Sequence, residues 1–429
     1  MGRVLIDSGV DWIKEIPHDW NITKISQKYT LRATKVSDKV YEPLSVTYGG
    51  VVPQLENVAK TDAHDARKLV KKDDFAINSR SDRRGACGIA DRDGSVSLIN
   101  IVLKPNDNMV AKYYEFLFHS IQFGDEFYKW GHGIVDDLWT TRWQDMKNIS
   151  IPVPPLQEQQ AIADYLDRKT AEIDAAITEA KSLIEKYKAY KQSIITEAVT
   201  KGLNPNVKKK GSGIEWIGEI PECWEVLPLL KVIWLRARLG WKGLKADEYV
   251  DEGYPFLSAF NIVSDKLNWE ELNYITQDRY EESPEIKLSI GDVLIVKDGA
   301  GIGKSARIDS LPLGEATVNS SLGVITPYNK ILYTYLHYFF VSNAFQNVIG
   351  FIKNGMGVPH LTQENMRLVR VTIPPLTEQK QIADYLDEKC SQIDPIISQK
   401  EHLVTQLQEY KKSIIFEYVT GKKEVPNAQ

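Results

Sequence analysis

A chain of 429 residues, 43% hydrophobic and 26% charged, has room for two to four domains and can bury a core, which excludes a disordered or fibrous polypeptide. No run reaches the roughly 18 uninterrupted apolar residues of a membrane span. Three scattered cysteines (Cys87, Cys223, Cys390) without a CxxC exclude a disulfide framework and a zinc site and suit a reducing cytoplasm. The net charge of -5 is unusual for a nucleic-acid binder, but phosphate contact depends on where basic residues sit rather than on their sum.

The chain opens on DSGVDWIKEIPHDW (Asp7 to Trp20), with acids where a signal peptide would carry its apolar run. A basic stretch follows, Lys24, Lys28, Arg32, Lys35 and Lys39, opposed locally only by Asp38. The β-like runs FAIN at Phe75 and VSLINIVL at Val96 flank a charged loop, SRSDRRGACG (Ser79 to Gly88), and the aromatic run YYEFLFHS at Tyr113 predicts a short helix. Together these predict an α+β domain.

PPLQEQQAIADYLD (Pro154 to Asp167) then opens a long helix. Leu166, Ile173, Ala180, Tyr187 and Ile194 recur at heptad spacing, interleaved with Ile177, Ile184 and Ala198, and so narrow a stripe marks a coiled-coil seam. An ordinary core helix would show a similar stripe. Pro155 suits the first turn, and Gly202 the position just past the end.

From Gly211 the chain is written a second time. GSGIEWIGEIPECW (Gly211 to Trp224) repeats the opening phrase at an offset of 204 residues. Its basic stretch is Lys231, Arg236, Arg238, Lys242 and Lys245, with Trp234 and Trp241 between and no acid among them. The runs DVLIV at Asp292 and SLGVIT at Ser321 flank KDGAGIGKSAR (Lys297 to Arg307), and YLHYFFVS at Tyr335 resembles the earlier aromatic run. PPLTEQKQIADYLD (Pro374 to Asp387) returns at an offset of 220, so the second copy carries 16 more residues between its two anchors. Leu386, Ile393, Leu407 and Ile414, with Ile397, Val404 and Tyr418, form its seam, and Gly421 follows its end. Pro395 stands where the first copy has Ala175, which predicts a kink.

The expected architecture is α+β: two homologous α+β domains (residues 1–152 and 204–372) and two long helices (153–203 and 373–429). The helices pair antiparallel as a coiled coil, related by a pseudo-two-fold axis. About 40 helical residues span roughly 60 Å, so the pair would act as a spacer. Lys and Arg bind phosphates by charge, and Arg can read guanine bidentately. Arg80, Arg83, Arg84, Lys242, Lys245, Lys297 and Lys304 are the candidate DNA contacts, from charge, loop placement and repeat position. A solvated surface is the bland alternative for either basic stretch alone.

No chemistry is legible. GAGIGKS (Gly299 to Ser305) lacks the first glycine of a phosphate loop, because Asp298 stands there. VPPL and IPPL lack the Asn or Asp of an amino-methyltransferase signature. No fingerprint for S-adenosylmethionine appears, and the seven histidines show no ligand spacing. The expectation is therefore no catalytic residue, no cofactor site and no metal site in this chain.

The paired IP..W phrases (Ile16, Pro17, Trp20; Ile220, Pro221, Trp224), each followed by PPLxEQxxIADYLD and a long helix, resemble the specificity (S) subunit of Type I restriction-modification enzymes over nearly the full length. The resemblance implies two target recognition domains on conserved spacer helices, double-stranded DNA as ligand, and a cytoplasmic, non-catalytic role. It further implies docking of two modification subunits, which bind S-adenosylmethionine and methylate adenine, with a place for two motor-nuclease (restriction) subunits using ATP and Mg²⁺. Matched Tyr165 and Tyr385 are candidate docking aromatics, or pack on their own domains. Unlike domains on a repeated frame predict a bipartite, asymmetric target. Two other classes compete: a coiled-coil scaffold joining protein-binding modules without DNA, disfavoured by the repeated basic stretches, and a self-sufficient methyltransferase or nuclease, disfavoured by the missing motifs.

Overall fold

The computed structural model describes residues 3–55, 65–133, 139–237, 244, 248–299, 301–355 and 360–426. The chain divides into two compact units, residues 1–181 with 401–429, and residues 182–400.

In the first unit a four-stranded antiparallel sheet runs in the order Cys87–Ile89, Phe75–Asn78, Asn100–Pro105, Tyr29–Leu31. In the second the order is Ser305–Arg307, Val293–Val296, Leu322–Pro327, Ile233–Arg236, strand for strand the same plan. The central strands are buried on both faces: all four residues of Val293–Val296 are inaccessible, which is why an unalternating apolar run forms a strand there. An aromatic helix packs against each sheet, Ala111–His119 in one unit and Tyr333–Val341 in the other, and each is followed by a second helix, Ile121–Lys129 or Asn343–Gly355. The flanking three-stranded sheets differ: Gly94–Ser97, Arg67–Val70, Lys35–Val36 is antiparallel, whereas Tyr254–Leu257 pairs with Thr317–Val318 in parallel. The run at Val96 is not one strand. A turn after Ser97 parts Gly94–Ser97 from Asn100–Pro105, because the two belong to different sheets.

The long helices are Leu156–Lys201 and Leu376–Val419, and each contributes one half to each unit. In the first unit Tyr165 packs on Tyr418, ring centroids 4.6 Å apart, and Lys411 binds Asp174 at 2.6 Å. In the second unit Lys191 binds Asp394 at 2.8 Å, and Gly202 lies beside Glu378. Advancing along one helix retreats along the other, so the pairing within each unit is antiparallel. The seam residues Leu166, Ile173, Ile177, Ala180 and Ile184 are buried, as are Leu386, Ile393, Ile397, Val404 and Ile414. Tyr187 and Leu407, at equivalent repeat positions, are half-buried. Gly202 (φ +75°) and Gly421 (φ +70°) take the left-handed conformation that ends a helix without a Cβ penalty. Pro395, where a kink is expected, lies within a continuous helix, with the ring on the exposed face.

Candidate nucleic-acid interface

The recurring phrases fasten each unit together. Trp20 Nε1 donates to Glu158 (2.8 Å), and Trp224 Nε1 donates to Glu378 (2.9 Å). The neighbouring glutamines repeat the device: Gln159 donates to the Pro154 carbonyl and accepts from the Val110 amide, as Gln379 does with Pro374 and Leu332. Tyr113 and Tyr335, the first residues of the aromatic runs, donate to the carbonyls of Val419 and Val199 near the ends of the long helices. The sequence showed these residues as repeated phrases without showing what they bind. Their job is to seat each β-domain on its helix pair.

With that base fixed, the charged loops fall at one topological place. Ser79 to Gly88 joins Phe75–Asn78 to Cys87–Ile89, and Lys297 to Lys304 joins Val293–Val296 to Ser305–Arg307, the equivalent strands. The first loop is held by its backbone: Ser81 N donates to Trp139 O (3.0 Å), and Arg80 N donates to Asn78 Oδ1 (3.1 Å). Arg80 pairs with Asp82 at 3.1 Å, and Arg83, with a side chain 62% exposed, is 3.7 Å from the same carboxylate. Arg84 binds Asp125 at 2.6 Å and lies over the Tyr128 ring. All three arginines thus sit on one loop, and each has an acid beside it.

The second loop is pinned by Lys297, whose amide donates to Ser321 O and whose carbonyl accepts from the Leu361 amide. Burial holds the Lys297 ammonium below its ordinary pKa. Lys304 is exposed. Asp298 contacts His360. Gly303 (φ +87°) is required twice, by conformation and because a Cβ would come within 2.9 Å of Ile349. Ser305 opens a strand, so the loop lacks the helix N-terminus on which a phosphate loop depends. Lys242 and Lys245 lie outside the described residues.

The basic stretches are not uniformly free. Arg32 forms a two-pronged pair with buried Asp74, at 2.5 and 2.9 Å, and Arg236 at the matching position binds buried Asp292 at 2.7 Å. Arg236 also donates to the carbonyls of Glu285 and Lys287. These two arginines anchor the sheet rather than face outward. Nothing in the local sequence shows it, since their acids lie 42 and 56 residues downstream. Among the described residues no His, Cys, Asp and Glu cluster could hold a metal ion.

The family model described as "Type I restriction modification DNA specificity domain" matches residues 22–186 and again 223–405. The chain is 26% identical to the MjaVIII specificity subunit of Methanocaldococcus jannaschii over 430 residues, 96% of this chain and 95% of that protein. It is 28% identical to the EcoKI specificity subunit of Escherichia coli over 209 residues, 48% of this chain and 44% of that one. Its fold resembles a chain from a structure of the type I R-M system solved for complex assembly and conformational transition (TM-score 0.69, 15% identity, 95% of this chain and 99% of that chain).

Proposed function

Because the chain belongs to the Type I restriction modification DNA specificity family and is a specificity subunit, we propose that it reads a bipartite, asymmetric DNA site, one block per unit, and docks two modification subunits. The observation that carries this is the charged loop at the same strand connection in both units, with different residues in each. Equivalent placement gives two readers, and unlike side chains give two different blocks. Arg80, Arg83, Arg84, Lys242, Lys245, Lys297 and Lys304 would supply phosphate and base-edge contacts from these surfaces. Arg80, Arg83 and Arg84 each have an acid nearby, so their contact with DNA would involve exchanging partners.

In this reading the chain performs no catalysis. S-adenosylmethionine is bound, and adenine methylated, by the modification subunits, while ATP and Mg²⁺ serve two motor-nuclease subunits. The complex is cytoplasmic, and the long helices set a gap of constant length between the blocks. Sequencing modified bases in cells that express the chain with its modification subunit tests this directly. Two short unlike blocks about an unspecified gap are expected. A palindrome, or no modification, would refute it. A chain that joined two protein modules without DNA would show no salt-sensitive duplex binding in a gel shift.

A further inference from the structure

In the first unit the hairpin Leu44–Thr47/Gly50–Pro53 overhangs the sheet and leaves a cleft of about 360 Å³ between its tip and the arginine loop. Its lining is chemically one-sided. Arg67, Arg83, Asn78, Asn100 and Gln54 supply polar groups together with hydroxyls, and no carboxylate lines the cleft among the described residues. This is notable in a chain with 58 acids. The cavity beside Lys191 in the other unit, for contrast, has four aspartates in its wall.

Two polar groups at the cleft are buried, and one of them has an atom without a partner. Asn100 is 4% exposed; its Nδ2 donates to Ser97 O at 3.3 Å, and its Oδ1 has no partner. Arg67 is 6% exposed and is held by neutral oxygens alone, Ser95 Oγ, Ser95 O and Leu44 O. No carboxylate lies within ion-pair distance of it among the described residues, and burial lowers its pKa. An orphaned buried acceptor is destabilising, so it calls for a ligand that donates to it. The second unit shows what the same position looks like without that need. Asn100 faces Asn78 across the sheet, whereas the equivalent pair there is Leu322 facing Val296.

We infer that this cleft receives a single nucleobase of the bound DNA, turned out of the stack. The inference rests on the DNA-reading function proposed above. A base edge presents donors beside acceptors, matching a free amide oxygen and a guanidinium with no carboxylate at ion-pair distance among the described residues; a phosphate presents acceptors alone and would face Asn100 Oδ1 unfavourably. Asn and Arg are the side chains that pair most readily with base edges. Tyr48, 63% exposed at the hairpin tip and packed beside Gly85 of the arginine loop, offers a stacking face at the mouth. The depth of Asn100 and Arg67 puts them beyond the groove edge of a stacked pair, so the base must leave the helix to reach them.

The test uses the full chain assembled with its modification subunit. Duplexes carrying the target are labelled with 2-aminopurine at one position at a time across the block read by the first unit. A several-fold fluorescence rise is expected at one position other than the methylated adenine. It should be lost in Asn100→Leu and in the surface variant Tyr48→Ala, both checked for wild-type melting and assembly. The assignment is overturned if no second position brightens, or if the rise survives both variants. Free deoxynucleoside monophosphates form the other arm. A melting shift that Asn100→Leu removes, with no brightening in DNA, would make the cleft a nucleotide-effector site and overturn the DNA-borne version. Failure of the wild-type complex to prefer its target over random duplex would instead refute the function on which the inference rests.

Discussion

Arg236 and Asp292 show how position decides what a charge does. Both side chains are nearly inaccessible, and removing either leaves an uncompensated buried ion, a loss of about 3–5 kcal/mol. Arg236→Ala should therefore lower the denaturation midpoint of the second unit sharply. Arg32→Ala, with a guanidinium 19% exposed, should cost the first unit less. Chemical denaturation followed by tryptophan fluorescence checks both. His337 offers a pH test. Burial, reinforced by Arg307 and Lys191, pushes its pKa from 6.5 down to about 3. Below pH 6.5 the unfolded chain takes up a proton that the folded chain refuses, so stability is full above that value and falls as the pH drops toward 3. By pH 5 this amounts to about 2 kcal/mol. Replacing His337 with Gln should flatten the loss in melting temperature between pH 7 and pH 5. Neither the arginine pairs nor the buried histidine was legible in the sequence, because each depends on neighbours brought in from far along the chain.

The long helices were the most legible elements. Their seams, their closing glycines and their antiparallel pairing within each unit agree with the heptad reading, since periodicity is a local property. What periodicity could not show is the pair of cross-helix bonds at one repeat position, Lys191 with Asp394 and Lys411 with Asp174. The first pair is the more enclosed, with side chains 15% and 20% exposed against 30% and 56%. Asp394→Ala should accordingly cost about 1–3 kcal/mol, and Asp174→Ala under about 1 kcal/mol, in thermal melts. Lys191→Asp combined with Asp394→Lys should recover part of the loss. The strands were harder to read. The run at Val96 looked continuous because its turn lacks the Gly or Pro that usually marks one.

At the scale of the molecule, duplication carried the reading: two matched stretches of sequence fold as two units with one sheet order. The sequence could name candidate contacts only by loop and charge, whereas the folded chain sets acids beside Arg80 and Arg84 and assembles the amide-lined cleft from four separate segments. Charge reversal of exposed Lys304 should weaken duplex binding by a similar factor on all sequences and flatten its salt dependence by about one ion. Exchanging the residues of the Ser79 to Gly88 loop should alter one block of the modified motif and leave the other intact. Both outcomes are readable by gel shift and by sequencing of modified bases.

Part of the seating of each β-domain ends on main-chain groups: the carbonyls of Val199 and Val419 receive tyrosines, and the amides of Val110 and Leu332 donate to glutamines. Backbone amides and carbonyls persist whatever side chain drifts over them. A crossover between related genes at the tryptophan phrase could therefore import a foreign reading surface whole and find its mountings waiting. Alleles of this kind would diversify in what they recognise far faster than in how they are built.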